Sequence, residues 1–109
     1  MRRAGATEHR IFQALADPSR RAIYEALARG EVAVQDLTAS FAISQPAVSQ
    51  HLAVLKDAGL VAGRREGRRV YYRAEPHGLQ PLVDWIAHHR AFWTARVARL
   101  EHLLDRMDE

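Results

Sequence analysis

The stretch that decides the fold is VQDLTASFAISQPAVSQHLAVLKDAGL, which occupies residues 34–60. It predicts a short helix over Val34–Phe41, a tight turn, and a second helix that Ser44 caps. Pro46 falls in the first turn of this second helix, where a proline is tolerated, and Gly59 helps to close it. The apolar residues at helical spacing, which predict a buried face, are Val48, Leu52 and Leu55.

The outward face of the second helix, called here the recognition helix, carries side chains suited to reading DNA. Glutamine can bond an adenine edge twice, serine pairs with several bases, and histidine reaches a base or a phosphate. None of these side chains is an acid that would repel phosphate. The predicted contacts on this helix are Ser44, Gln45, Pro46, Ser49, Gln50, His51 and Lys56. A purely solvated polar face is the alternative, and it is disfavoured because a basic hairpin follows directly.

An arginine-rich segment follows the recognition helix and predicts a β-hairpin. Val61–Glu66 and residues 68–74 have the composition of two strands joined by a glycine turn. Residues 59–75 hold five arginines against two glutamates, so the net charge of +3 is concentrated there. Arginines at a hairpin tip follow phosphates or enter a narrow minor groove. The predicted wing contacts are Arg64, Arg65, Arg68, Arg69 and Tyr71. Arg73, at the strand end, is expected to pair with Glu75.

Two further helices are predicted ahead of this block. Thr7 is expected to cap the first helix, which ends near Ala16. Asp17 then caps a second helix, with Pro18 at its first position, where the missing amide hydrogen would be unpaired anyway. Gly30 is expected to end this second helix.

A long helix is predicted from residue 79 to residue 107. Apolar residues alternate there at spacings of four and three, and only Arg90 interrupts the seam. A helix of this length projects beyond so small a domain, and its aromatic stripes need a partner surface. We therefore predict a homodimer, although packing of the seam on the chain's own core is the competing interpretation. The predicted interface residues are Ile11, Phe12, Leu82, Trp85, Ile86, His89, Phe92, Trp93, Val97, Leu100 and Leu104.

Composition bounds the remaining possibilities. At 109 residues the chain is expected to form one domain, and its hydrophobic content of 48% argues against disorder. There are no cysteines, which excludes disulfides, thiolate catalysis and thiolate metal sites. No apolar run is long enough for a membrane span and no secretion signal is evident, so a cytoplasmic protein is expected. An enzyme is not expected, because no phosphate loop and no nucleophile paired with a base is present.

Several motifs carry a resemblance to a known family. The second helix begins ADPSRR, the recognition helix begins SQPAVSQHL, and AGLV follows it. Together with the helix order, these motifs resemble the ArsR/SmtB family of bacterial winged helix-turn-helix repressors over about residues 8–104. The resemblance implies a mainly α fold of about five helices with a two-stranded wing. It also implies a homodimer that binds a two-fold operator and represses transcription until an inducer releases it.

The paired-cysteine metal motif of that family is absent. Its position, at the entry to the third helix, aligns with residues 31–37 of this chain. Ala33 and Gln35 stand where the two thiolates would be, and neither side chain is a strong ligand for a soft metal. Sensing of arsenic, lead or cadmium at this position is therefore not expected.

The family's zinc site on the last helix is also out of register. Ile86 stands two residues before His88, where an aspartate belongs, and Arg99 stands where the later histidine belongs. A cluster of His88, His89 and His102 formed across a dimer is the remaining metal candidate, but surface or packing histidines are the preferred interpretation, since four ligands are normally needed.

The sequence thus predicts a homodimeric, sequence-specific DNA-binding regulator that needs no cofactor. The resemblance implies that it is a repressor, and repressors of this family often control their own gene. Two alternatives stay open: a winged-helix module that binds an acidic protein, and a zinc-responsive repressor that uses the last-helix histidines. A pocket for an apolar effector formed by Trp85, Phe92 and Trp93 is a further option.

Overall fold

A computed structural model describes residues 3–107 of the chain, with side chains from residue 7 onward. Five α-helices and three short strands make up this part of the chain, which confirms the predicted mainly α fold with a hairpin wing. In chain order the elements are α1 (Arg3–Ala16), α2 (Pro18–Ala28), β1 (Val32–Ala33), α3 (Val34–Phe41), α4 (Gln45–Asp57), β2 (Val61–Glu66), β3 (Arg69–Ala74) and α5 (Gln80–Met107).

Local hydrogen bonds fix where the helices begin. The Asp17 carboxylate, at the N-cap of α2, accepts a bond from the backbone amide of Arg20 at 3.0 Å. Ser44 does the same for α4, where its hydroxyl accepts from the amide of Ala47 at 3.2 Å. The predicted cap at Thr7 is wrong, because α1 begins earlier and Thr7 lies inside it. The alanine-containing sequence before Thr7 has the propensity to continue the helix.

Apolar residues of the first four helices and the start of β2 form one core. Val48, Leu52 and Leu55 are almost fully buried, so α4 turns the predicted apolar face inward. Burying one such side chain contributes roughly 1.5–3 kcal/mol, which fixes the rotation of the helix. Ile11 is also fully buried, so its predicted place at a subunit interface is wrong. The largest buried side chains are Ile11, Ile23, Leu27, Leu37, Leu52, Leu55, Leu60 and Val48.

The hairpin is part of a three-stranded antiparallel sheet with strand order β1-β3-β2. β2 and β3 pair along their whole length and leave a two-residue turn of Gly67 and Arg68. Gly67 has a φ of 63°, a left-handed value that glycine adopts without strain. The sequence did not predict β1, in which Ala33 lies opposite Tyr71 of β3. A two-residue strand is too short to show an alternating pattern.

The last helix differs from the others because none of its residues is buried. It packs mainly on α1, where the rings of Phe12 and Trp85 meet edge to face with centroids 5.3 Å apart. The described chain is elongated and measures 70 × 35 × 20 Å. No helix within residues 3–107 has the length and apolar character that a membrane crossing requires. Large exposed apolar residues of α5 include Val83, Ile86, Phe92, Trp93, Val97, Leu100, Leu103, Leu104 and Met107.

Candidate nucleic-acid interface

α4, the predicted recognition helix, presents a polar face on the outside of the molecule. Gln45, Ser49 and Lys56 are exposed and recur at helical spacing, so they follow one line along the helix. Gln50 is exposed beside that line. Pro46 lies in the exposed first turn, and the Ser44 hydroxyl is occupied as an acceptor by the helix cap. The predicted residues therefore reach solvent mainly in the N-terminal half of α4, and Lys56 does so in its last turn.

A groove of about 230 Å³ lies between this side of α4 and the wing. Gln45 and Ser49 line it from the helix, and Arg68 lines it from the hairpin turn. Gln35, in the first turn of α3, adds a further side-chain amide to the same groove. The apolar lining consists of Val34, Leu52, Val70 and Tyr72. Hydrogen-bonding groups from α3, α4 and the wing are thus brought to one open surface.

Sequence reasoning missed Gln35 as part of this surface. The family motif indicates only that a metal ligand is missing at this position. The signal that could have identified Gln35 is its place in the first turn of α3, the helix that precedes the recognition helix. That turn faces the nucleic acid in helix-turn-helix folds, because the preceding helix crosses the DNA backbone.

The wing arginines are not equivalent, and Arg64 is occupied by acids. Its guanidinium donates to both carboxylate oxygens of Glu31, at 2.7 and 2.9 Å, and to Glu66 at 2.6 Å. The hydrogen bond from Arg64 holds the pKa of Glu31 below its ordinary range, and the bond to Glu31 raises the pKa of Arg64. Arg64 therefore ties β2 to the segment that leads into β1.

Arg69 also faces an acid. Its guanidinium lies 3.4 Å from both carboxylate oxygens of Asp36 in α3. The ring centroid of Tyr71 lies 4.8 Å from Cζ of Arg64 and 5.8 Å from Cζ of Arg69, within the range of cation–π contacts. In the absence of DNA, acids therefore engage both Arg64 and Arg69 and Tyr71 packs against them, so their predicted contacts with DNA stay predictions.

Arg65 and Arg68 carry the uncompensated charge of the wing. Both side chains are exposed, and neither makes an ion pair within residues 3–107. Arg73 pairs with Glu75 at 3.1 Å, which confirms that prediction. Unpaired guanidinium groups at and beside a hairpin turn are well suited to bind phosphate oxygens.

His51 lies at the edge of the polar face, where α4 meets α2. Nη1 of Arg20 lies 3.5 Å from Nδ1 of His51. The same guanidinium donates to the carbonyl oxygens of Gln13 at 3.1 Å and Ala14 at 2.7 Å. One side chain therefore connects the end of α1 to the recognition helix.

The histidines of α5 are engaged in local packing. The ring of His89 stacks on Trp85 at 4.1 Å between centroids, and its Nδ1 lies 2.9 Å from the Trp85 carbonyl oxygen. His88 meets His89 edge to face at 5.0 Å. In the part of the chain that the structure describes, no group of three or more potential ligands is placed to hold a metal ion. Within one subunit His102 therefore does not join His88 and His89, and a cluster formed across a dimer stays a prediction.

Comparison with known proteins gives consistent matches. Residues 17–62 match the family described as "Bacterial regulatory protein, arsR family". The chain is 46% identical over 96 residues to the HTH-type transcriptional regulator Rv2034 of Mycobacterium tuberculosis, covering 88% of this chain and 87% of that protein. It is 36% identical over 76 residues to the transcriptional repressor SdpR of Bacillus subtilis, covering 70% of this chain and 84% of that protein.

A solved structure shares most of this architecture. An ArsR-like transcriptional regulator from Rhodococcus sp. RHA1 superimposes with a TM-score of 0.76 at 28% identity, over 90% of this chain and 92% of that one. At this coverage the similarity includes at least part of the long last helix as well as the segment that holds the recognition helix.

Proposed function

The chain belongs to the ArsR family of bacterial transcriptional regulators, and from that premise we propose how it binds DNA. Two subunits form a homodimer through α5 and the exposed side of α1. The two copies of α4 enter successive major grooves on one face of the DNA, with half-sites about 34–36 Å apart. Such a dimer matches a two-fold symmetric operator, because the symmetry of the protein is repeated in the site it reads.

The observation that carries this proposal is the convergence of polar groups at the groove beside α4. Gln45, Ser49 and Gln35 offer donors and acceptors for base edges and the sugar-phosphate backbone. Arg68, unpaired within residues 3–107, lies on the same groove, and Arg65 lies on the adjoining strand. Base contacts from the helix set the sequence preference, whereas the two arginines bind the backbone or enter the minor groove.

Repression by obstruction of RNA polymerase is the regulatory outcome we propose. The relative from Bacillus subtilis is named a transcriptional repressor, which supports this direction. Autoregulation through a site upstream of its own gene is included in the proposal. DNA as the target implies a cytoplasmic protein, and no catalytic role forms part of the proposal.

We do not expect the inducer to be a soft metal that binds at the entry to α3. Ala33 is fully buried and pairs with β3, and Gln35 lines the groove beside α4. Neither position is available as a thiolate substitute, so α3 serves the DNA surface in this chain.

Operator binding across a salt series tests the assignment of the wing. Each protein–phosphate contact contributes about 0.9 to the slope of log K against log salt concentration. We expect the double variant Arg65→Ala, Arg68→Ala to weaken binding to every DNA sequence. The same variant should flatten the slope in proportion to the phosphate groups that the two arginines neutralise. Fluorescence anisotropy with the upstream region of the gene and with a scrambled duplex measures both effects.

Arg73→Ala is the matched control, because it removes one positive charge from β3 where Arg73 is already paired with Glu75. Its salt slope is expected to stay at the wild-type value. An unchanged slope in the double variant would contradict the wing assignment. Equal affinity of the wild-type protein for operator and scrambled DNA would contradict sequence-specific recognition and favour a protein-interaction module.

A further inference from the structure

An exposed ion pair connects the first turn of α3 to the tip of the wing. Nη2 of Arg69, the first residue of β3, lies 3.4 Å from both carboxylate oxygens of Asp36. Gln35, which directly precedes Asp36 in the chain, lines the groove beside α4. Arg68, which directly precedes Arg69, lines the same groove from the hairpin turn. The pair therefore lies at the edge of the surface that is proposed to bind DNA.

The contact is looser than the neighbouring pair between Arg64 and Glu31. Arg64 meets Glu31 through two different nitrogens, at 2.7 and 2.9 Å, which is the bidentate geometry of strong ion pairs. Arg69 shares one nitrogen between the two oxygens of Asp36, and 3.4 Å is long for a charge-assisted hydrogen bond. The side chains of Arg69 and Asp36 are 47% and 63% exposed, so water screens their attraction. Such a pair is readily exchanged for another partner.

Within residues 3–107 no second acid forms an ion pair with Arg69. Glu66 is its cross-strand neighbour, but the Glu66 carboxylate accepts from Arg64 instead. The ring centroid of Tyr71 lies 5.8 Å from Cζ of Arg69. Contact with a ring face leaves the nitrogens at the edge of a guanidinium free to donate. Arg69 can therefore leave Asp36 while Tyr71 still supports its side chain.

We propose that Arg69 exchanges Asp36 for a DNA phosphate on binding, so that Asp36 limits the affinity of the protein for all DNA. An exposed ion pair contributes at most about fivefold to an equilibrium constant. One phosphate contact contributes about eightfold for each tenfold fall in salt concentration, so at low salt the phosphate is the preferred partner. This inference rests on the proposed DNA binding and adds a third wing arginine, whose availability an acid controls.

The variant Asp36→Asn tests the limit that the acid sets. Asparagine carries no charge to hold the guanidinium, so Arg69 is free before DNA binds, and we expect the affinity to rise about two- to fivefold. The rise should be the same for the upstream region of the gene and for a scrambled duplex, because phosphates carry no sequence information. Fluorescence anisotropy measures both affinities, and circular dichroism verifies that the variant keeps its helices.

The variant Arg69→Ala tests the phosphate contact independently. If Arg69 binds one phosphate in each subunit, its removal lowers the slope of log K against log salt concentration by about 0.9 per subunit. In this background Asp36→Asn is expected to give a much smaller gain, since no arginine remains to be released. An unchanged slope in R69A overturns the proposal, and so does an equal gain from D36N with and without Arg69.

The variant Asp57→Asn is the matched control. It removes the same charge from the exposed last residue of α4, at the end opposite to the one that is proposed to contact bases. Within residues 3–107 Asp57 makes no ion pair, so it holds no arginine that DNA could claim. Its affinity for both duplexes is expected to stay near the wild-type value, because salt screens a lone exposed charge. A gain equal to that of D36N would attribute the effect to net charge and overturn the exchange.

The outcomes separate this inference from the DNA binding on which it rests. A wild-type protein that binds neither duplex overturns the DNA binding and the exchange together. A wild-type protein that prefers the upstream region, combined with a wild-type salt slope in R69A, overturns only the exchange.

Discussion

At the scale of single residues, arginine performs two different tasks in the wing. Arg64 is held by Glu31 and Glu66, whereas Arg68 at the turn is unpaired within residues 3–107. A guanidinium whose donors are occupied by two carboxylates adds no net positive charge to a DNA-binding surface. We therefore assign Arg64 to positioning the wing and Arg68 to contacting DNA.

Replacing Glu31 with alanine distinguishes the two tasks by the sign of the effect. If Arg64 positions the wing, removal of its partner loosens β2, and operator affinity falls about two- to fivefold, as exposed pairs contribute up to about 1 kcal/mol. A phosphate-binding Arg64 would instead be freed by this change, and affinity would rise. Fluorescence anisotropy at neutral pH gives the sign. The lowered pKa of Glu31 keeps it ionised there, and the pair breaks only when the pH falls through that lowered value.

Arg64→Ala completes this test. A positioning residue weakens binding and leaves the slope of log K against log salt unchanged, since every phosphate contact remains. A drop of about 0.9 in that slope for each subunit would identify Arg64 as a phosphate contact and contradict its positioning role.

Two glycines in different surroundings give opposite predictions for the same substitution. A Cβ added at Gly78 would lie 2.6 Å from the carbonyl oxygen of Gly59 and 3.0 Å from Cα of Leu60. Because both are backbone atoms, we expect Gly78→Ala to lower the free energy of unfolding by about 1–3 kcal/mol. Gly30 has no such neighbour within 4 Å, so Gly30→Ala is expected to raise it by about 0.4–1 kcal/mol. Urea unfolding at one protein concentration measures both, and equal effects would contradict the packing argument.

At the scale of elements, the turn before the recognition helix contains an unusual backbone conformation. Ala42 has a φ of 54°, and its amide donates to the Thr38 carbonyl oxygen at 3.1 Å to end α3. A left-handed conformation costs an L-residue about 1–2 kcal/mol, and glycine avoids that cost. This strain lies at the point that sets the angle between α3 and α4.

Replacing Ala42 with glycine is expected to raise the free energy of unfolding by about 0.5–1 kcal/mol, after the greater freedom of glycine in the unfolded chain is deducted. Ala39→Gly, in the middle of α3, is the control and is expected to lower stability by about 0.5–1 kcal/mol. Chemical denaturation followed by circular dichroism measures both variants. A destabilising effect at both positions would show that the conformation of Ala42 carries no strain.

Local signals explain how much of these elements could be predicted. The bounds of α3 and α4 follow from the Ser44 cap and the apolar spacing of α4, which depend on neighbouring residues alone. The division of the wing arginines could not be predicted, because Glu31 and Arg64 are 33 positions apart and meet only after the sheet forms. The same reason applies to β1, which exists only through its pairing with β3. The groove position of Gln35 likewise depends on how α3 and α4 pack together.

At the scale of the whole molecule, a single subunit leaves the apolar residues of α5 without a surface that buries them. The radius of gyration is 19.2 Å, whereas a compact chain of this length has about 13 Å. The excess reflects the part of α5 that extends beyond its contact with α1 and exposes residues such as Trp93 and Leu100. Apolar surface of this extent in a regulator is the expected surface for a second subunit.

Coupling between folding and association predicts that the thermal midpoint depends on protein concentration. In the proposed homodimer a second subunit covers the outer half of α5, so we expect the midpoint to rise as the protein is concentrated. Trp93→Ala, where the side chain is 59% exposed on the outer half of α5, should lower the midpoint at a fixed concentration. Met107→Ala, at the end of the helix where the side chain is 78% exposed, should change it little. Calorimetry over a range of concentrations measures this, and a constant midpoint would contradict the homodimer.

The unburied last helix also affects how the regulator responds to its own abundance. If a subunit needs a second copy to cover α5, the number of DNA-binding units grows as the square of the number of chains while most chains are single. Halving the supply of the protein then leaves about a quarter of the active form. Dilution during cell growth would release the operator over a narrower range of protein levels than a repressor that binds as one chain. If the homodimer forms as proposed, the exposed face of one helix would make the response of the regulated gene to the amount of this protein steeper.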